Sequence, residues 1–289
     1  MATVSQWVEG ARPRTLPAAL SPVAAGTGAA AALGGFSWWR AAAALVVALA
    51  LQVAVNYAND YSDGIRGTDA ERVGPLRLTG SGVASGAAVK RAAFVAFGVG
   101  AVAGLALVVS IGAWWLLAVG ALCIVAAWYY TGGATPYGYR GLGEISVFVF
   151  FGLVAVLGTV YVQAGRISWA AVAAAVGVGA YACAILVANN LRDIPTDVLA
   201  GKRTLAVLLG DARSRALWFV LVGGAQVLGL LVALDRPWAL LSLAGVPIAA
   251  RAGALLARGA RGRDLVPVLR DTGLAELLFA VGLGAGLAL

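Results

Sequence analysis

The chain has 289 residues, 61% of them hydrophobic and 12% charged, with a mean hydropathy of +0.89. A soluble domain carries about 25% charged residues, so a water-soluble globule is excluded. There is no histidine, which removes imidazole as metal ligand, general base or proton relay; any metal must sit on oxygen ligands, favouring Mg²⁺, Mn²⁺ or Ca²⁺ over zinc.

In chain order, the opening stretch from Met1 to Arg14 is polar, and the apolar run behind it continues too far for a cleaved leader, so none is expected. Apolar runs long enough for a helix to cross the hydrocarbon core then recur at about 16–34, 41–59, 92–110, 113–131, 144–163, 168–188, 215–234, 238–257 and 272–289. They predict an all-α polytopic membrane protein, a nine-transmembrane-helix bundle forming one domain over 1–289. The short alternating segments of a β-barrel do not occur. Long connections are expected at about 60–91 and 189–214, and such loops are usually functional or disordered. Cys123 and Cys183 fall inside apolar runs and read as small packing residues. Trp38, Trp39, Trp114, Trp115, Trp169 and Trp238 mark one set of run ends, as an interfacial belt does.

The net charge of +8 would suit nucleic acid, but its distribution follows topology, and no nucleic-acid partner is expected. Every Lys and Arg except Arg40, Arg166 and Arg236 lies in the N-terminal segment or after an even-numbered run. The positive-inside rule places that side in the cytoplasm of a cell-membrane protein, with the C-terminus outside. Every Asp and Glu except Asp235 shares the side. Acids hardly influence insertion, so their asymmetry needs another cause, and a cytoplasm-facing site supplies one.

Two acidic clusters end apolar runs. On a helix, Asn56, Asn59, Asp60 and Asp63 stand at i, i+3, i+4 and i+7, and Asn189, Asp193 and Asp197 at i, i+4 and i+8, so each set shares a face. Pro195 is expected to bend or end the second helix. Ionisable groups at a membrane boundary are costly and are functional by default. The clusters are interspersed with Arg66, Arg72, Arg77, Lys202 and Arg203. Carboxylates with Lys and Arg, and no histidine, suit a diphosphate held through Mg²⁺, an ion that takes a few carboxylates and completes its octahedron with water and phosphate oxygens. Spreading that charge also makes diphosphate a better leaving group. A chain this apolar points to a lipid, such as an isoprenoid, as the diphosphate's other half.

Asn59-Asp60-x-x-Asp63 with Asp69, and Asp193-x-x-x-Asp197, resemble the two aspartate-rich motifs of the UbiA-type intramembrane prenyltransferases. Trp7-x-x-x-Ala11-Arg-Pro-Arg14, Tyr130-Thr-Gly-Gly, Pro136-Tyr-Gly-Tyr-Arg-Gly-Leu-Gly-Glu144 and the stretch from Asn189 to Val207 are similar to the branch of menaquinone biosynthesis acting on 1,4-dihydroxy-2-naphthoate. The five residues between Asp63 and Asp69, where many members have three, fit that branch. The resemblance implies nine transmembrane helices, and we expect an intramembrane cavity opening to the cytoplasmic side. It also implies transfer of a polyprenyl group from polyprenyl diphosphate to 1,4-dihydroxy-2-naphthoate, releasing diphosphate and CO₂. The expected Mg²⁺ ligands are Asp60, Asp63, Asp69, Asp193 and Asp197, with Asp63, Asp193 and Lys202 catalytic. Asn59 and Asn189 are expected as neighbours of the ligands, and Arg66 and Arg203, like Lys202, as diphosphate partners. Arg12 is either a membrane anchor or the partner of the acceptor carboxylate. Tyr137, Tyr139 and Arg140 are either interfacial residues or a wall of the acceptor pocket.

Three other readings are weaker. A related prenyltransferase would take 4-hydroxybenzoate or homogentisate. A CDP-alcohol phosphotransferase shares Asp60-x-x-Asp63-Gly64, but its motif continues differently. A cation-coupled transporter would hold its carboxylates near the midplane, whereas these lie at one surface.

Overall fold

A computed structural model describes residues 2–67 and 76–289, and they form only helices and turns. A short helix, α1 (Val4–Gly10), is followed by α2 (Pro17–Ala32), α3 (Trp38–Arg66), α4 (Gly86–Ile111), α5 (Leu116–Tyr129) and α6 (Gly143–Ala164). Then come α7 (Trp169–Leu199), α8 (Leu205–Asp235), α9 (Pro237–Ala257) and α10 (Leu265–Ala288). Helix α6 passes through a π-helical stretch at Phe148–Val154, and α9 opens as a 3₁₀ turn over Pro237–Gly245. Among the described residues seven helices are long and apolar enough to cross a membrane, which makes this a multi-pass membrane protein. Helices α2 and α5, at 16 and 14 residues, fall short of the roughly 20 that span a hydrocarbon core.

Helix α7 is the centre of the bundle: 72% of its apolar window is buried, against 22% for α4, which faces lipid. Its small residues, Ala171, Ala174, Ala175, Gly177 and Gly179 among them, let α2, α6, α8 and α10 close around it. Helices α2 and α10 touch through their backbones: a Cβ on Gly28 would stand 2.0 Å from the carbonyl oxygen of Gly284. Gly28→Leu is therefore expected to lower the melting temperature in detergent, by the equivalent of about 1–3 kcal/mol or more. Gly120→Leu, where nothing lies within 4 Å, is the matched control, and equal melting curves for the two would contradict this packing.

The structure corrects two expectations about connections. Helix α3 runs to Arg66, so the first acidic cluster lies on helix, as its spacing predicts. Helix α7 continues through Pro195 to Leu199. A proline this close to the C-terminal end removes one intrahelical bond and leaves most of the ladder intact. The expected long loop at 189–214 thus shrinks to the turn between Leu199 and Leu205, which carries Lys202. Gly210, at φ 78 and ψ 174, breaks α8 near its start, a backbone state only glycine adopts readily. The apolar run begins later than the helix because Asp211, Arg213 and Arg215 follow that break. Two cavities, of about 250 and 320 Å³, lie at the end of the bundle away from the aspartates, beside Trp169 and Arg40 respectively.

Candidate active site

The last turns of α3 and α7 and the turns around Tyr139 and Lys202 meet at one end of the bundle. Asp63, 3% exposed, accepts a hydrogen bond from the Tyr139 hydroxyl. It also pairs with Lys202 Nζ at 3.8 Å and Arg77 Nη2 at 3.6 Å. Lys202 Nζ lies 4.5 Å from the centre of the Tyr139 ring, and the Arg66 guanidinium 5.7 Å from it, both within cation–π range. Backbone bonds fix this arrangement: the Arg203 amide donates to Tyr139 O at 2.9 Å, and the Lys202 amide to Asp197 O at 2.8 Å. The first motif, the Tyr139 turn and the segment after the second motif are therefore tied together.

On α7, Arg192 grips Asp193 in bidentate fashion, Nε to Oδ1 at 2.7 Å and Nη2 to Oδ2 at 2.8 Å. Its Nη2 also donates to Asn189 Oδ1 at 2.9 Å. Asp193 and Asp197 are both buried, and Thr204 Oγ1 stands 3.5 Å from Asp197 Oδ2. Lys202 links the two motifs, its amide donating to Asp197 O and its Nζ standing 3.8 Å from Asp63. Buried carboxylates are tolerable only when paired; here Arg77, Lys202 and Arg192 provide the pairing.

Several of the expected residues also make structural contacts. Asp60, 1% exposed, accepts the amides of Leu78 at 2.7 Å and Thr79 at 2.8 Å through its two oxygens. It folds the segment entering α4, whose buried amides need acceptors. Asp60→Ala is accordingly expected to cost about 1–3 kcal/mol in stability, read as a lower melting temperature. An unchanged melting curve would contradict that role. Arg66 donates to the carbonyls of Thr131 and Gly133, so it braces a turn. Tyr137 donates to Ala126 O at 2.8 Å and lies 3.1 Å from Ser146 Oγ; it joins α5 to α6 and does not wall a pocket with its hydroxyl. Burial pushes its phenol up, partly offset by Ser146. Arg140 and Arg203 are exposed. Asn59 Oδ1 accepts from Thr131 Oγ1 at 2.7 Å.

Arg12 sits on a turn in left-handed conformation, φ 55, uncommon without glycine. Asn56 holds that turn by donating to Ala11 O at 2.9 Å and Thr15 Oγ1 at 3.1 Å. Asp69 lies outside the described residues. Arg192 and Thr131 carried no signal beyond adjacency to motif residues, and Arg77 stood among the cations without a specific role.

The donor set fits Mg²⁺. It offers only oxygen, from Asp63, Asp193 and Asp197. Among the described residues no three acidic side chains gather into one cage, which suits an ion held by one or two carboxylates plus substrate phosphates.

A family model described as the UbiA prenyltransferase family matches residues 19–266. A 1,4-dihydroxy-2-naphthoate octaprenyltransferase of Mycobacterium tuberculosis is 57% identical over 288 residues, covering 100% of this chain and 98% of that protein. The enzyme of that description from Escherichia coli is 38% identical, covering 96% of this chain and 94% of its own. The structure of a UbiA homologue from Archaeoglobus fulgidus bound to GPP and Mg²⁺ is similar with a TM-score of 0.69, at 16% identity and over 98% of this chain and 100% of that one. Two aspartate-bearing helix ends joined through a lysine and a tyrosine thus occur in a chain whose relatives share both sequence and fold, and this chain belongs to the UbiA prenyltransferase family.

Proposed function

We propose that this enzyme transfers a polyprenyl group from polyprenyl diphosphate to 1,4-dihydroxy-2-naphthoate, with loss of CO₂, giving the aromatic diol demethylmenaquinol, the reduced form of demethylmenaquinone. One observation supports it most: Asp63, Arg77, Lys202 and the Tyr139 ring converge where the two aspartate helices end. That set matches the charges of an allylic diphosphate. Lys202 and Arg77 exchange their carboxylate partner for non-bridging phosphate oxygens, and charge-assisted contacts of this kind are among the stronger hydrogen bonds. Asp63, Asp69, Asp193 and Asp197 would hold Mg²⁺, one or two carboxylates to an ion, and the bound metal would supply charge neutralisation for the departing diphosphate. The Tyr139 face stabilises positive charge on the allyl group as the C–O bond breaks.

The bundle spans the membrane nine times, α2 and α5 included, around a cavity opening to the cytoplasmic side. The N-terminus and the aspartates are cytoplasmic, supported by the basic residues at that end. A thiol introduced at exposed Arg140 is expected to react with an impermeant maleimide in inverted vesicles and not in right-side-out ones. The reverse pattern would overturn the orientation.

The test of function incubates purified protein with Mg²⁺, a polyprenyl diphosphate and, separately, 1,4-dihydroxy-2-naphthoate, 4-hydroxybenzoate and homogentisate. The expected product comes from the naphthoate and has the mass of a prenylated, decarboxylated ring. A product only from 4-hydroxybenzoate, with its carboxylate retained, would overturn the acceptor assignment.

A further inference from the structure

Glu144 is a buried carboxyl with no part in diphosphate binding. It stands in the first turn of α6, 6% exposed. Its Oε1 accepts a hydrogen bond at 3.0 Å from Nδ2 of Asn190, a buried residue on the helix that carries Asp193. Its Oε2 is closed off from solvent and accepts no hydrogen bond from any other described residue. A carboxylate in a helix first turn complements the dipole and lies within reach of its own backbone amide, which accounts for its position, but no other described residue donates to Oε2. An orphaned acceptor of this kind costs about 1–3 kcal/mol and calls for a ligand.

The surroundings show which ligand. Tyr130 packs against the turn that carries Tyr139, its carbonyl accepting the Gly138 amide at 3.0 Å, and the Tyr139 hydroxyl donates to Asp63, so Tyr130 links the start of α6 to the Asp63 side of the site. The Tyr130 hydroxyl would stand 3.0 Å from a Cβ on Gly143, next to Glu144. The Cys183 thiol meets the Glu144 carbonyl oxygen at 3.1 Å, fixing this turn of α6 against α7. A rigid, buried oxygen that only accepts, set beside the aspartates, suits a hydroxyl on the substrate.

We infer that Glu144 is the acceptor-side residue of the site. Its Oε2 takes the hydrogen bond of the phenolic hydroxyl ortho to the acceptor's carboxylate, while Asn190 holds the carboxyl in place. This rests on the aromatic-acid transfer proposed above. As the allylic C–O bond breaks and its electron pair leaves with diphosphate, the ring carbon bearing the carboxylate forms the new C–C bond. The phenolic O–H gives its proton to Glu144, and that oxygen becomes a ketone. The resulting β-keto carboxylate loses CO₂; the electron pair of the broken C–C bond passes to the ketone oxygen, which takes the proton back from Glu144. Glu144 ends as it began, and the ring is aromatic again. The arrangement also selects an ortho-hydroxy acid over one whose hydroxyl is para.

The test compares full-length wild type, Glu144→Gln and Glu144→Asp with Mg²⁺, geranyl diphosphate and 1,4-dihydroxy-2-naphthoate. Glutamine preserves shape and the Asn190 contact but takes no proton. Its kcat is expected to fall about 100-fold, with the donor KM and melting temperature essentially those of wild type, and aspartate restores at least about tenfold of the loss. A glutamine variant with wild-type kcat would overturn the inference. So would joint loss of donor affinity and melting temperature in both variants, which marks a packing role. Failure of the wild type itself to convert this acceptor would sink the functional reading instead, so the two failures are told apart.

Discussion

Asp63→Asn is expected to lower kcat at least about 1,000-fold while the protein still purifies as a folded, monodisperse species. Asparagine has the shape of aspartate and still accepts from the Tyr139 hydroxyl, so the tie between α3 and the Tyr139 turn survives. What is lost is the charge that Lys202 and Arg77 face and that a divalent ion requires. Removing one partner of a buried pair costs about 3–5 kcal/mol where burial is complete. This pair lies at the helix end, and the extensive α2–α6–α7–α8–α10 core lies elsewhere, so the melting temperature falls without loss of the fold. A loss of transition-state charge stabilisation of about 4 kcal/mol corresponds to that rate factor. The check is product formation in detergent beside a melting curve. Near-normal turnover by the variant would remove Asp63 from the chemistry.

Removal of divalent ions is expected to abolish turnover completely, and Mg²⁺ or Mn²⁺ to restore it. The reason lies in the ligand inventory. With no histidine and only carboxylate and amide oxygens at the site, a hard cation is the ion these groups can hold. The cations present, Arg77, Lys202 and Arg192, are already matched by Asp63 and Asp193. They cannot alone neutralise a diphosphate without leaving those carboxylates uncompensated. Turnover that persists in EDTA would contradict this balance.

The apolar runs were legible because lipid-facing helices must be apolar along their length, and helices occupy each predicted stretch. Their ends were not. The last turns of α3 and α7 are polar because they carry the site, and polarity past an apolar run looks like loop to any hydropathy argument. Asp63, Asp193 and Lys202 could be picked out as carboxylates and a cation with no ordinary reason to sit at a membrane boundary. Asp60 has the same chemistry and the same motif, yet its oxygens are set by the amides of Leu78 and Thr79, partners that only the folded chain brings near. Arg66 and Tyr137 show the same limit: arginine and tyrosine are recognition residues by type, and only the fold reveals that they also bond backbone carbonyls. Arg192 was overlooked although it adjoins Asp193, because adjacency on a helix does not reveal that the guanidinium folds back in bidentate fashion. Glu144 closes a motif in the sequence, and the surroundings of its Oε2 are set only once α6 and α7 are packed.

The two carboxylate-bearing helix ends are held to act as one receptor for a metal-bound diphosphate, and a double-mutant cycle on ligand binding tests that most directly. Binding of geranyl thiodiphosphate, which resists ionisation, is measured by titration calorimetry with Mg²⁺ for wild type, Asp63→Asn, Asp193→Asn and the double variant. One shared receptor predicts that each single change removes most of the Mg²⁺-dependent affinity and that the second adds little, a coupling of about 1–3 kcal/mol. Independent, additive losses, or undiminished binding by either single variant, would mean that the motifs serve separate sites.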